Sequence, residues 1–426
     1  HCLKLSYKDT AQQNSYVTIP RAANSFDNTE IAANVDEDII DSLTGGRLVG
    51  SVTSFENFAE CPLRYYLRYG VDLKEREEFT FSPVNFGVVL HAVIREVCDE
   101  IKKNGESYYL ISEEKRREMV KRSVAAITDI YQNSILKDSS RNSFMIKRME
   151  DLADRTIWAM GEQLKCGDFV PFVFEHKFNM EVGDGDRKQL MSGTIDRVDI
   201  CENGTDVYVR IIDYKTGKKD FNIVKTYYGI DIQLMVYMEA AMKLVAKMRP
   251  GKNVIPAGVF YYNISDPIVS ATTESAEEIE DKIKGELRLK GMVNSDKEIA
   301  EKMDNTEGTS LNIPVSRKAD GGFDSRRSKV MNTEQFNMLG RFVDVRAVDT
   351  ADRIAGGDIR RSPYKDGQFS SCDRCPYGAV CGFSVDLPGC NYRKLKKFDD
   401  EVLWNNIKEG VDENGKKMDT GAEERD

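Results

Sequence analysis

Leu90, Ile94, Val97 and Ile101 recur at steps of four, three and four, and this spacing predicts an amphipathic helix over 86–103. Two longer, more polar helical stretches follow at 113–136 and 144–165 and form a helical insertion over about 105–168. The period then shortens. PFVFEHKFNM (171–180), MSGTIDRVDI (191–200) and DVYVRIIDYK (206–215) read as strands, the last two joined as a hairpin through Asn203-Gly204. Helical spacing returns over 228–247, a buried strand is predicted over 254–264, and further helices near 274–290 and 333–355. Residues 291–330 are polar and glycine-containing and read as a long loop.

Ahead of these elements, T-x-x-E at Thr53–Glu56 predicts a capping box opening a helix through FENFAECPLRYYLRYG, with Gly70 as its stop. Pro62 interrupts that helix and leaves Cys61 beside an irregularity. Residues 1–48 read as a polar connecting arm with a strand at 16–19, residues 49–397 as one domain, and the charged segment 398–426 as a frayed tail.

Composition narrows the classes. Apolar residues make up 40% of 426, which excludes wholesale disorder, and no run approaches the roughly 18 apolar residues of a membrane-spanning helix. A soluble protein of the cytoplasm is expected, with no membrane partner. The formal charge of −10 means that any contact with nucleic acid has to use local basic patches. Residue 1 is His, and the chain reads as part of a longer polypeptide. Nine cysteines are too few for a disulfide scaffold in a chain of this length.

Asp213 and Lys215 are two residues apart on one strand and share a face. Asp196 lies on the partner strand, placed symmetrically with Asp213 about the predicted turn. Hard cations such as Mg²⁺ take one or two protein carboxylates and leave room for water and phosphate. A lysine beside such a site can orient water or stabilise a phosphodiester in flight. D-x-K taken alone is more simply an ordinary solvated hairpin. KTGKK (215–219) lacks the upstream glycine of a phosphate loop, so no Walker motor is expected.

The motif order makes the difference. Gly87-x3-His91 on a helix, a strand with Glu175, G-T-I-D (193–196), I-I-D-Y-K-T-G (211–217) and Gln233-x3-Tyr237 on a helix resemble the RecB-type branch of the PD-(D/E)XK nucleases. The resemblance implies a restriction-endonuclease-like α/β fold, a mixed sheet flanked by helices. It also implies a Mg²⁺ or Mn²⁺ site made by His91, Asp196 and Asp213, with Lys215 as catalytic lysine and Gln233 and Tyr237 lining the substrate path. Glu175 ranks below these as a further metal neighbour, and His176 has no such support.

Cys372, Cys375 and Cys381 form C-x2-C-x5-C, and Cys61 is the candidate fourth thiolate. Four thiolates suit either zinc or a [4Fe–4S] cluster, and spacing leaves both open. The same arrangement bracketing nuclease motifs resembles AddB-type subunits of bacterial helicase–nucleases. That resemblance implies a [4Fe–4S] staple, DNA as substrate, an AddA-like helicase–nuclease partner, a helicase-like region before residue 1, and exonucleolytic processing of double-strand ends for recombinational repair. A stand-alone Cas-type or replication-associated exonuclease with an iron–sulfur cluster is the nearest alternative, and a DNA-binding scaffold with a vestigial metal site the more distant one. Candidate DNA contacts are Arg64, Tyr65, Tyr66, Arg68, Tyr69, Arg360, Arg361 and the basic run 393–397.

Overall fold

The computed structural model describes residues 34–36, 38–39, 49–74, 83–130, 140–182, 189–270, 274–387 and 390–423; the strand expected at 16–19 lies outside them. The chain divides into two compact units where one domain was expected over 49–397. One unit gathers the described residues of 1–76, 181–190 and 347–398, the other those of 77–180, 191–346 and 399–426.

The second unit carries a mixed sheet. Its strands are β2 (Val170–Val182), β3 (Gln189–Asn203), β4 (Asp206–Lys215), β5 (Asn253–Asn263), β6 (Lys290–Asn294) and β7 (Val330–Met331); β1, the short Val49–Ser51, falls in the first unit. The order β3-β4-β5-β6-β7 alternates antiparallel and parallel pairings, and β2 pairs with β3. β3 and β4 form the expected hairpin, with Asn203 opposite Asp206 and Arg197 opposite Ile212. Eight consecutive residues of β4 are buried, as a strand covered on both faces requires.

The helices are numbered from the first unit, where α1 (Val52–Glu60) and α2 (Pro62–Tyr65) lead into a π-helical turn, Tyr66–Gly70. In the second unit α3 (Pro83–Lys103) presents the expected stripe: Leu90, Ile94, Val97 and Ile101 are buried. Each such side chain contributes roughly 1.5–3 kcal/mol. The insertion consists of α4 (Glu113–Ile130) and α5 (Ser140–Lys165), whose Val124, Ala153 and Ile157 join the same core. After β4 come α6 (Ile223–Tyr227) and α7 (Gln233–Met248), then α8 (Ala276–Glu286), α9 (Lys297–Met303) and α10 (Thr333–Ala355).

The first unit also holds a small sheet in the order β10 (Arg393–Lys394), β8 (Tyr364–Asp366), β9 (Phe369–Ser370), and the short helix α11 (Gly378–Cys381). As Pro62 foretold, α1 ends at Glu60, Cys61 is extended (φ −167°, ψ 117°), and α2 restarts with Pro62 in its first turn.

Three expectations are corrected. The helix opened by the capping box starts earlier: Ser51 is its N-cap, accepting from the Ser54 amide at 3.1 Å. Residues 291–330 are not one loop, because β6 pairs with β5 and Asp296 caps α9. Gly291 permits that pairing, since a Cβ there would lie 1.9 Å from the Val259 carbonyl oxygen. The C-terminal segment forms α12 (Asp400–Glu423), which buries Leu403 and Ile407, four residues apart.

Candidate metal centre

His91 on α3, Glu175 on β2 and Asp196 on β3 converge so that one ligand atom from each lies within 4.8 Å of the others. His91 Nδ1 is 3.4 Å from Asp196 Oδ1 and 3.7 Å from Glu175 Oε1. The second oxygen of Asp196 accepts the Tyr214 backbone N–H at 2.7 Å, which fixes the carboxylate plane. Glu175 has φ +48°, a left-handed conformation costly for a side chain with a Cβ. Strain of that kind persists where surrounding structure imposes it. Glu175, ranked low from sequence because its strand could equally place it in a surface ion pair, therefore stands inside the cluster.

Asp213 is buried beside this group. Its Oδ2 lies 2.5 Å from Lys215 Nζ, an ion pair. Burial, followed by the charge of Asp196, pushes the Asp213 carboxyl up to about 7 against the pull of Lys215. Burial opposes a charge on the His91 imidazole, but hydrogen bonds and charge from Asp196 and Glu175 outweigh it and carry its pKa up to about 10. A buried carboxylate paired with one lysine, a second carboxylate held by a backbone amide, and a nearby Glu and His are a donor set that suits a hard divalent cation.

Lys215 Nζ also donates to Gln233 Oε1 at 3.0 Å, and Gln233 Nε2 donates to the Tyr237 hydroxyl at 2.9 Å. Both residues are buried on the first turns of α7. Tyr237 packs edge-on against Phe178, 5.6 Å between ring centres. Gly193, from the G-T-I-D segment, makes room for this pair: a Cβ there would come within 2.7 Å of Phe178 and 3.0 Å of Tyr237. Gln233 and Tyr237, expected to line the substrate path, form a buried relay that holds the lysine.

The four cysteines of the predicted staple all belong to the first unit, and three of the thiols feel the charge of others in the set: Cys375 acts on Cys61, and Cys61 and Cys375 act on Cys372 and Cys381. Burial raises the Cys61 thiol, while the backbone N–H groups of Arg64, Ser362 and Leu63 favour its thiolate. The Cys381 thiolate is likewise favoured by the Phe383 amide. Amide donors aimed at two of the sulfurs favour the thiolate form of Cys61 and Cys381.

Most candidate DNA contacts are engaged elsewhere. Tyr65 is buried against Phe58 and Ile354, and Arg64 pairs with Glu60. Arg360 pairs with Asp358 at 2.6 Å, Arg361 donates to the Cys381 carbonyl, and Arg393 donates to the Ser362 carbonyl at 2.9 Å. Arg68 lies over the Tyr69 ring at 5.4 Å, and Tyr69 remains among the exposed aromatics.

A mixed β-sheet that sets Asp196, Asp213 and Lys215 side by side on a hairpin, closed by a histidine from α3, defines an α/β nuclease of the restriction-endonuclease-like class. The family model described as the PD-(D/E)XK nuclease superfamily matches residues 50–382, and the chain belongs to that superfamily. Curated relatives whose names make each of them one subunit of an ATP-dependent helicase/deoxyribonuclease are similar along most of the chain. The protein of Thermoanaerobacter sp. (strain X514) is 33% identical over 380 residues, covering 87% of this chain and 33% of that protein. That of Lachnoclostridium phytofermentans is 34% identical over 399 residues (91% and 34%), and that of Clostridium acetobutylicum 34% over 383 (88% and 33%). The chain thus spans about a third of the length of these relatives. Among the described residues, no helix is long and apolar enough to cross a membrane.

Proposed function

We propose that this chain is the nuclease portion of an AddB-type subunit that hydrolyses DNA phosphodiesters at double-strand ends, in the bacterial cytoplasm, together with an AddA-like helicase–nuclease partner. The observation that carries the reading is the convergence of His91, Glu175 and Asp196 next to the buried pair Asp213–Lys215. The names of the relatives support the type of assembly and the substrate class.

His91, Glu175 and Asp196 would hold Mg²⁺ or Mn²⁺, with the Asp213 carboxylate beside them in its pair with Lys215. When bound, such a cation supplies charge neutralisation on the phosphate and a more acidic water. The chain's own contribution is positional. Lys215 is fixed between Asp213 and Gln233, so its ammonium keeps one orientation. A lysine held in this way can donate to an attacking water or to the phosphate oxygen on which charge develops, without reorganising during the reaction. Tyr237 sets the rotamer of Gln233 and thereby which amide atom faces the lysine.

Cys61, Cys372, Cys375 and Cys381 are proposed to hold a [4Fe–4S] cluster that ties the segment around α2 to the segment around α11. Such a tie closes a loop of about three hundred residues, and its role is structural.

The test is cleavage of end-labelled linear DNA by the anaerobically purified full-length protein with Mg²⁺ or Mn²⁺. Metal-dependent cutting that is lost in Lys215→Ala and in Asp213→Ala establishes the site. A folded, metal-loaded protein that cuts no end, with or without its partner, overturns the reading in favour of a binding scaffold.

A further inference from the structure

Lys219 lies in the loop after β4 and takes no part in the motif pattern read from the sequence. Its backbone is clamped by one side chain: the Lys219 N–H donates to Asn263 Oδ1 at 2.9 Å, and Asn263 Nδ2 donates back to the Lys219 carbonyl at 3.0 Å. Its ammonium is directed by two groups on neighbouring elements. Asp231 Oδ1 is 3.0 Å from Lys219 Nζ, and the Tyr261 ring centre is 4.5 Å away, a cation–π distance. Asp231 is itself buried and accepts the Tyr261 hydroxyl at 2.6 Å, so carboxylate and ring are locked to each other. The Asp231 carbonyl in turn accepts the Thr226 hydroxyl at 2.8 Å, which fixes the turn before α7.

The same ring carries Lys215, whose Nζ lies 5.5 Å from its centre. Tyr261 is the register partner of Asp213 on the adjacent strand. The separation of the two ammonium groups therefore cannot exceed the sum of their distances to one ring, which is about three nucleotide rises of a DNA strand at ~3.4 Å each. Lys219 also adds its positive charge to the field at Asp213. A surface lysine ordinarily wanders; this one is anchored at its backbone, its carboxylate and its ring.

We propose that Lys219 is a second phosphate-gripping cation of the nuclease site, holding a backbone phosphate of the bound strand near the one attacked beside Lys215, and that Asp231 and Tyr261 are its positioning residues. This rests on the reading of the site as a DNA nuclease. Its contribution falls on holding the strand rather than on the chemical step, because the lysine hydrogen-bonded to Gln233 is Lys215 and not Lys219.

The experiment compares Lys219→Gln, Lys219→Arg and Asp231→Asn with wild type in the full-length protein. It uses initial rates on a fluorescently end-labelled duplex and, in EDTA, anisotropy of the same DNA across a salt series. The expected result for Lys219→Gln is a KM raised about tenfold with kcat within about twofold, and a slope of log affinity against log salt reduced by about one, the signature of one lost phosphate contact. Lys219→Arg restores most of the affinity, and Asp231→Asn moves KM in the same direction as Lys219→Gln without removing a cation. A Lys219→Gln protein that melts like wild type and keeps its KM and salt slope overturns the inference, while Lys215→Ala separately reports on the nuclease reading. If wild type binds DNA without cutting it and Lys219→Gln still loses one unit of slope, the phosphate grip stands and the nuclease reading falls.

Discussion

Lys215 Nζ donates to Gln233 Oε1 at 3.0 Å, and through Gln233 the lysine is tied to a tyrosine hydroxyl buried one helical turn further along α7. Eighteen residues separate lysine and glutamine in the chain, and the link depends on α7 packing its first turn against the end of β4. A flexible side chain with many rotamers is thereby reduced to one useful orientation.

Tyr237→Phe removes the acceptor for Gln233 Nε2 and leaves a buried amide donor unpaired. The cost of such a group is about 1–3 kcal/mol. Cleavage is expected to fall by roughly ten- to a hundredfold, while the shift in melting temperature produced by saturating Mn²⁺ stays as in wild type. Single-turnover rates and thermal melts read the two quantities separately; an unchanged rate would remove the relay from the mechanism.

Glu175→Gly is predicted to move stability and metal affinity in opposite directions. Glycine tolerates the φ of +48°, so relief of strain stabilises the metal-free protein by roughly 1 kcal/mol. The same change removes one of three converging ligand atoms. Denaturant midpoints in EDTA should rise and Mn²⁺ affinity by calorimetry should fall. Glu175→Gln, which keeps the strain, should show only the loss of affinity.

Gly193→Ala is expected to destabilise the protein by about 1–3 kcal/mol, because the new methyl group meets Phe178 and Tyr237 in a packed interior. Activity should fall more steeply than stability as Tyr237 shifts and Lys215 loses its hold. Chemical unfolding and initial rates on the same preparation distinguish this from a purely structural loss.

Asp344 on α10 shares a hydrogen bond with Glu239 on α7, and burial together with that neighbour pushes its pKa up to about 8. A carboxyl whose folded pKa is raised binds its proton more tightly in the folded state. The resulting stability is complete below the ordinary carboxylate pKa of about 3.8 and is lost as pH rises through 8. Asp344→Asn supplies the same donor without a titrating proton. Its melting temperature is therefore expected to decline less than that of wild type between pH 6 and 9, and a parallel decline would exclude the shared proton.

Cys375→Ala should abolish the broad visible absorption that thiolate-bound iron gives the anaerobically purified protein. It should also loosen α2 and α11 together in hydrogen exchange, since Cys61 is the N-cap of α2 and Cys381 ends α11. A colourless wild-type protein with stoichiometric zinc would instead assign the four thiolates to a tetrahedral structural site.

Local spacing alone determined much of this protein. The stripe Leu90–Ile94–Val97–Ile101, the hairpin about Asn203-Gly204 and the break at Pro62 are set by contacts between near neighbours, and each formed where periodicity or turn chemistry placed it. The register of that hairpin brought Asp196 to Asp213, so the acidic half of the site could be read from the sequence. Short elements could not: β6, β7 and α9 hold too few residues to show a period, and they form because β5 offers a partner and Asp296 a cap. Nor could relations that cross the chain. Glu175 entered the metal centre through a strained backbone that only its surroundings impose, and the Gln233–Tyr237 relay formed because α7 packs on β4. Lys219 gained its grip from a carboxylate and a ring twelve and forty-two residues away. Sequence periodicity records which face of an element is apolar; which polar side chains then meet is settled by the packing of elements distant in the chain.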